Sequence, residues 1–188
     1  MAKLYFRYGT MGSSKSANAL MTRFNYIERG YRVLLMKPAV DVREGRNVVR
    51  SRIGLEAPAE LLMAGDTVRQ HYGAQQPQCI ILDEAQFATE AQIEELRDIA
   101  DVEDVPVFCY GLRTDFRTRL FSGSRRLFEL ADSVYELKSV CDCGRKAIVN
   151  ARYENGRIVS EGAQIAIGGD EMYRGLCYRC WKREGGVD

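Results

Sequence analysis

The sequence has a single histidine, His71, and that scarcity excludes a good deal. Any reaction needing an imidazole base must use that one side chain. Within one chain, no metal can be held by a pair of histidines. Net charge of either sign is also missing: 27 Lys and Arg against 26 Asp and Glu leave +1. A chain-wide basic field for nucleic acid is therefore absent. No apolar run approaches the roughly 20 residues that span a bilayer. The opening MAKLYFRYGT has no long apolar stretch before a small-residue cleavage site, so no secretory leader is expected. A cytoplasmic protein with reduced thiols is the expectation.

What is there reads as an ordinary globular chain. Its 188 residues are 46% hydrophobic and 28% charged, enough for one domain and a small appendage. Up to about residue 138, short apolar runs alternate with helix-like segments. Leu4-Tyr5-Phe6, Val33 to Met36, Cys79 to Leu82, Val105 to Tyr110 and Val134 to Leu137 read as strands. After the first strand, Ala17, Leu20, Phe24 and Ile27 fall on one helix face, stopped by Gly30. Leu61 to Tyr72 reads as a helix, and 41–54 as an Arg-rich mobile loop. Thr89 and Gln92 form a capping box ahead of Ile93, Leu96 and Ala100. Continuous apolar strands alternating with helices predict an α/β fold: a parallel sheet with helices on both faces. A boundary near 138 separates residues 1–138 from a smaller unit, 139–188, too poor in core to stand without a staple.

Gly9-Thr10-Met11-Gly12-Ser13-Ser14-Lys15-Ser16 lies between the first strand and helix. This is phosphate-loop context. Backbone N–H groups wrap the phosphates, Lys15 reaches the β- and γ-phosphates, and Ser16 ligates Mg²⁺. The glycine usual before the lysine is replaced by Ser14, with Gly12 two positions earlier. Ile80-Ile81-Leu82 ends in Asp83-Glu84, an apolar strand closed by acids. Asp83 suits the metal, and Glu84 suits proton abstraction from water or a substrate hydroxyl. The stretch Tyr110-Gly111-Leu112-Arg113-Thr114-Asp115-Phe116 closes another strand where ligands of parallel sheets bind. Arg113, Arg117, Arg119, Arg125 and Arg126 offer cations for a transferring phosphoryl group. Phe116 is either a stacking platform or core.

Cys79 and Cys109 lie in apolar runs and read as core thiols. Cys141-x-Cys143 and Cys177-x-x-Cys180 are four soft ligands in two pairs, the pattern of a closed structural Zn²⁺ site.

In this order, Gly9–Ser16, ILDEAQF, YGLRTDF, CDCG, IGGDEMY and CYRC resemble the zinc-containing, type II cytosolic thymidine kinases, from residue 3 to about 181. The resemblance implies a P-loop kinase domain over 1–138 and a zinc-binding lasso domain over 139–188. It implies transfer of the ATP γ-phosphate to the 5′-OH of thymidine, with Mg²⁺ carried by ATP and a structural Zn²⁺. Glu84 matches the general base. Residues 9–16 with Asp41, Val42, Arg43, Asp83 and Gln86 match the ATP side. Met11, Leu112 and Phe116 match the thymine pocket. Gln164, Ile165, Ala166, Ile167 and Gly168 match the lasso that grips the pyrimidine edge, and Tyr173 the aromatic that closes over it. A homotetramer inhibited by dTTP is also implied, with no nucleic-acid or membrane partner. The rival reading is an NTPase carrying a zinc-ribbon nucleic-acid module over 141–180.

Overall fold

The computed structural model describes residues 1–40, 47–165 and 172–185. The chain enters on β1 (Leu4–Tyr8) and passes through the glycine-rich loop into α1 (Lys15–Ile27), then β2 (Val33–Pro38). A small hairpin follows, β3 (Val48–Arg50) and β4 (Glu56–Pro58), then β5 (Glu60–Leu62) and α2 (Val68–Gln75). Next come β6 (Cys79–Leu82), a single 3₁₀ turn (Ala85–Phe87), α3 (Glu90–Val102), β7 (Val107–Gly111), α4 (Ser122–Leu130) and β8 (Ser133–Glu136). The remainder forms β9 (Val149–Glu154), β10 (Arg157–Ile158), β11 (Tyr173–Leu176) and α5 (Tyr178–Arg183).

The main sheet has the order β5-β2-β6-β7-β1-β8, and every pairing in it is parallel. Its apolar runs are continuous because both faces are covered. Alternate residues feed opposite cores. Leu34, Met36, Ile80, Leu82, Val107 and Cys109 meet Ile93, Leu96 and Ile99 of α3 and Leu127 of α4. Leu35, Cys79, Ile81, Phe108 and Tyr110 meet Ala19 and Leu20 of α1. Cys79 and Cys109 are core thiols, as their surroundings in the sequence imply. A separate antiparallel sheet, β10-β9-β11, carries a third core around Val149, Leu176 and Trp181 beside the paired cysteines.

Three local expectations change. Phe24 and Ile27 share helical spacing with Ala17 and Leu20, yet they are 59% and 41% exposed, because the face of α1 turned to the sheet runs through Ala19, Thr22 and Tyr26: Thr22 hydrogen-bonds Tyr110, and Tyr26 packs edge-on against Phe108. Leu61 and Leu62 form a strand instead of opening a helix. Leu62 is buried at the sheet edge, and the Thr67–Gln70 capping box delays α2 to Val68. Within 41–54, residues 48–50 pair with 56–58, since Val49 and Ala57 find core against α1. The Thr89–Gln92 capping box forms as read.

Candidate active site

All strands of a parallel sheet end at one edge, and the chemistry gathers there. The loop after β1 is pinned at its base by Gly9 N–H donating to Gly111 O, 3.2 Å. Gly9 is obligatory: a Cβ there would lie 2.3 Å from Ser13 Oγ and 2.4 Å from Leu137 O. Gly12 turns the loop at φ +80, where a Cβ would meet only Arg52 Nη1 at 3.7 Å. Ser14 also takes the left-handed region, φ 60, and starts α1 without a side-chain cap. The substitution of Ser for the usual glycine is thus absorbed at an exposed position, at a cost of about 1 kcal/mol. Uncapped first-turn N–H groups and the helix dipole favour an anion at this point. Lys15 is buried and donates to Thr10 O, 2.9 Å.

Asp83 follows β6 directly, one strand away from β1 across β7. The Ser16 hydroxyl and the Glu84 N–H both donate to its carboxylate. Burial and the neighbouring Glu84 charge push Asp83 up to about 7, against the opposing pull of those hydrogen bonds and Lys15. Its Oδ1 is buried with no hydrogen-bond partner. A carboxylate with a spare lone pair beside a phosphate-loop Ser and Lys fits a divalent cation, which would reverse the upward shift.

Glu84 is left-handed too, φ 50. Strained non-glycine backbone gathers at functional sites. Here the turn lifts Glu84 off the strand, where its Oε2 accepts from Gln86 Nε2 at 2.5 Å. Gln86 is buried, and its Oε1 accepts Leu112 N–H at 2.9 Å. The sequence places Gln86 with the phosphate ligands. In the structure it lines a neighbouring apolar cavity, and its two side-chain functions lock the ends of β6 and β7 together. Gly111 permits that approach, since a Cβ on it would lie 2.7 Å from Gln86 Oε1.

Beside Gln86 lies this narrow, mostly apolar cavity, with about 50 Å³ of free volume. Of the predicted nucleoside residues, Met11, Leu112, Phe116, Gln164, Ile165 and Tyr173 all line it. Phe116 is core and wall at once: it is buried, and the Arg117 and Arg152 guanidinium groups lie 5.4 and 5.2 Å from its ring centre. Buried Asp115 accepts from the Arg117 and Arg119 N–H groups and from Gln164 Nε2 (3.1 Å), which ties this loop to the following lobe. Asp41, Val42, Arg43, Ala166, Ile167 and Gly168 lie outside the described residues.

Several residues went unread in the sequence. Val40, Phe87, Phe121 and Asn150 complete the cavity wall. Phe87 and Phe121 meet edge to face at 5.6 Å, 34 positions apart in the sequence. Lys37, inside the apolar run of β2, is buried on the strand beside β6, and a lysine in such a run was the available signal. The basic stretch is dispersed. Arg125 and Arg126 staple α4 to Glu90 and Glu94 of α3 on the outer surface, and Arg113 donates to Ile148 O.

The four paired cysteines do converge, their Sγ atoms all within 4.8 Å of one another. Tetrahedral zinc with Zn–S near 2.3 Å needs sulfurs about 3.8 Å apart, so the cluster fits that ion.

Strand, phosphate loop, helix and metal-suited strand-end acid define a P-loop nucleotide-binding protein. The thymidine kinase family model matches residues 2–181. The chain is 46% identical to the thymidine kinase of Zymomonas mobilis over 184 residues, 95% of each chain. It is 47% identical to that of Novosphingobium aromaticivorans, over 95% of this chain and 96% of the relative. With that of Escherichia coli it shares 43% over 193 residues, covering 100% and 94%. The chain belongs to the thymidine kinase family. Among the described residues no helix is long and apolar enough to cross a membrane.

Proposed function

We propose that the protein transfers the γ-phosphate of ATP to the 5′-OH of thymidine, giving dTMP and ADP. One observation carries this reading beyond family membership. Met11 belongs to the phosphate loop and also lines the aromatic cavity. A nucleoside in the cavity therefore points one end at the phosphates. Glu84 takes the 5′-OH proton as that oxygen attacks phosphorus and the bond to the ADP oxygen breaks. The Gln86 contact supports that role, because it links the Glu84 carboxylate to the cavity wall. Lys15 and the loop N–H groups neutralise and align the phosphates. Asp83 and Ser16 would hold Mg²⁺, which supplies further charge neutralisation.

Leu112, Phe116 and Tyr173 clasp a flat ring, while the lasso backbone reads its edge. In this reading residues 1–138 form the kinase domain and 139–188 the lasso domain. Cys141, Cys143, Cys177 and Cys180 hold a structural Zn²⁺ in the lasso domain. A dTTP molecule would span cavity and loop together, which supports feedback inhibition. The exposed Met21 and Phe24 of α1 give copies of the chain an apolar face for a homotetramer. Reduced, metal-held thiols suit a cytoplasmic enzyme. The NTPase alternative has no observation in its favour. A panel of nucleosides assayed for ATP-dependent phosphorylation tests the proposal. Thymidine-dependent ADP release is expected, and turnover answering to nucleic acid instead would overturn it.

A further inference from the structure

Three segments of the C-terminal lobe converge on two residues of the phosphate loop. Asn150 on β9 is 3% exposed; its Oδ1 accepts the Met11 N–H at 2.8 Å, and its Nδ2 donates to Thr114 O at 3.0 Å. Gly175 is its cross-strand partner on β11. It lies so close to the loop that a Cβ there would sit 3.2 Å from both Met11 O and Thr10 Oγ1. Ser139, two residues ahead of Cys141, shares a hydroxyl–hydroxyl hydrogen bond with Thr10. On its other side, the Thr10 carbonyl receives Lys15 Nζ. The strand that carries Gly175 runs straight into Cys177. The same end of this strand pair therefore carries both the contact with the phosphate loop and the lead into the cysteine cluster.

We propose that Asn150 is a positioning residue for the phosphate loop, and that zinc held by the four cysteines braces nucleotide binding through it, as well as the nucleoside-facing lasso. The proposal rests on reading residues 9–16 as the nucleotide's phosphate loop. The Met11 N–H is committed to Asn150 Oδ1 on the lobe. A half-buried N–H stripped of its acceptor is costly, so without Asn150 the loop gives up this geometry to find water. The N–H groups that follow, and the carbonyl that holds Lys15, then lose their fixed aim.

The test uses the full chain, as Asn150→Ala and Asn150→Asp, with three readouts: zinc content, ADP affinity without nucleoside, and hydrogen exchange of the peptide spanning Gly9–Ser16. Asn150→Ala should keep its zinc, bind ADP about tenfold more weakly and exchange faster in the loop. Asn150→Asp retains an acceptor for Met11 but loses the donor to Thr114 O and adds charge beside the phosphates, so loop exchange should return part-way while ADP affinity stays weak, a split that general destabilisation of the lobe would not produce. Chelating zinc from the unmodified protein should also speed loop exchange. Unchanged loop exchange in Asn150→Ala would overturn the proposal. If Asn150→Ala does not fold, the chelation experiment decides: faster exchange confined to the cysteine lobe refutes the brace. Unmodified protein that binds no ADP would sink the kinase reading instead, and loop exchange would still decide this one.

Discussion

The two ends of the site are built in opposite ways. In the proposed function, the phosphate end is eight consecutive residues after β1 plus one acid at the end of β6, and the nucleoside end is the cavity. The nucleoside end draws its walls from β2's exit, the 3₁₀ turn, the loop after β7, β9 and the segment leading to β11. Phosphate recognition is mostly backbone N–H geometry, which a short run of glycine, serine and lysine dictates locally. Shape recognition of a flat base needs apolar surfaces facing one another, and those come from wherever the fold brings them.

The comparison can be broken most sharply at Glu84, which stands between the two ends. Glu84→Gln should keep nucleotide and nucleoside binding and lower turnover roughly 10²–10⁴-fold. Steady-state kinetics alongside ADP titration measures this, and near-normal turnover would remove Glu84 from the chemistry.

Next in size is the metal. Elemental analysis should find about one zinc per chain. Cys177→Ser should lose most of it and weaken thymidine binding strongly. A zinc-free preparation with four reactive thiols and full thymidine affinity would show that the cluster is not a metal site.

A cleaner separation of the two ends comes from Leu112→Ala. Trimming one cavity wall removes apolar contact worth about 1.5–2 kcal/mol, so the thymidine KM should rise roughly tenfold or more. ADP affinity should stay within twofold, as measured by titration without nucleoside. Equal losses for both ligands would mean that the ends are not independent.

The smallest effect is expected at Ser14. Glycine relaxes a left-handed serine, so Ser14→Gly should stabilise the fold by up to about 1 kcal/mol in thermal unfolding. ATP affinity should shift less than tenfold, because Ser14 is exposed and its Cβ adds no crowding. A tenfold gain in ATP affinity would show that the serine handicaps the loop.

The sequence by itself determined what local chemistry can write. Buried strands announced a parallel sheet because their apolar runs never alternate, as in Cys79–Leu82. The strand–loop–helix at 9–16, the strand-end acids at 83–84 and the converging cysteine pairs were legible because each is written in a short run of particular residues. Helical periodicity misled at Phe24 and Ile27, since it states which side chains share a face and not which of two neighbouring faces the sheet covers. Leu61 and Leu62 misled in the same way: their apolar character suits a strand or a helix equally, and a free sheet edge decided it. Tertiary structure alone decided the cavity's far wall, where Phe87 meets Phe121, and the contacts that lay Asn150 and Gly175 on Thr10 and Met11. Those pairings join residues as many as 165 positions apart. Their only cause is the packing of one sheet against the exit of another, which short-range spacing does not encode.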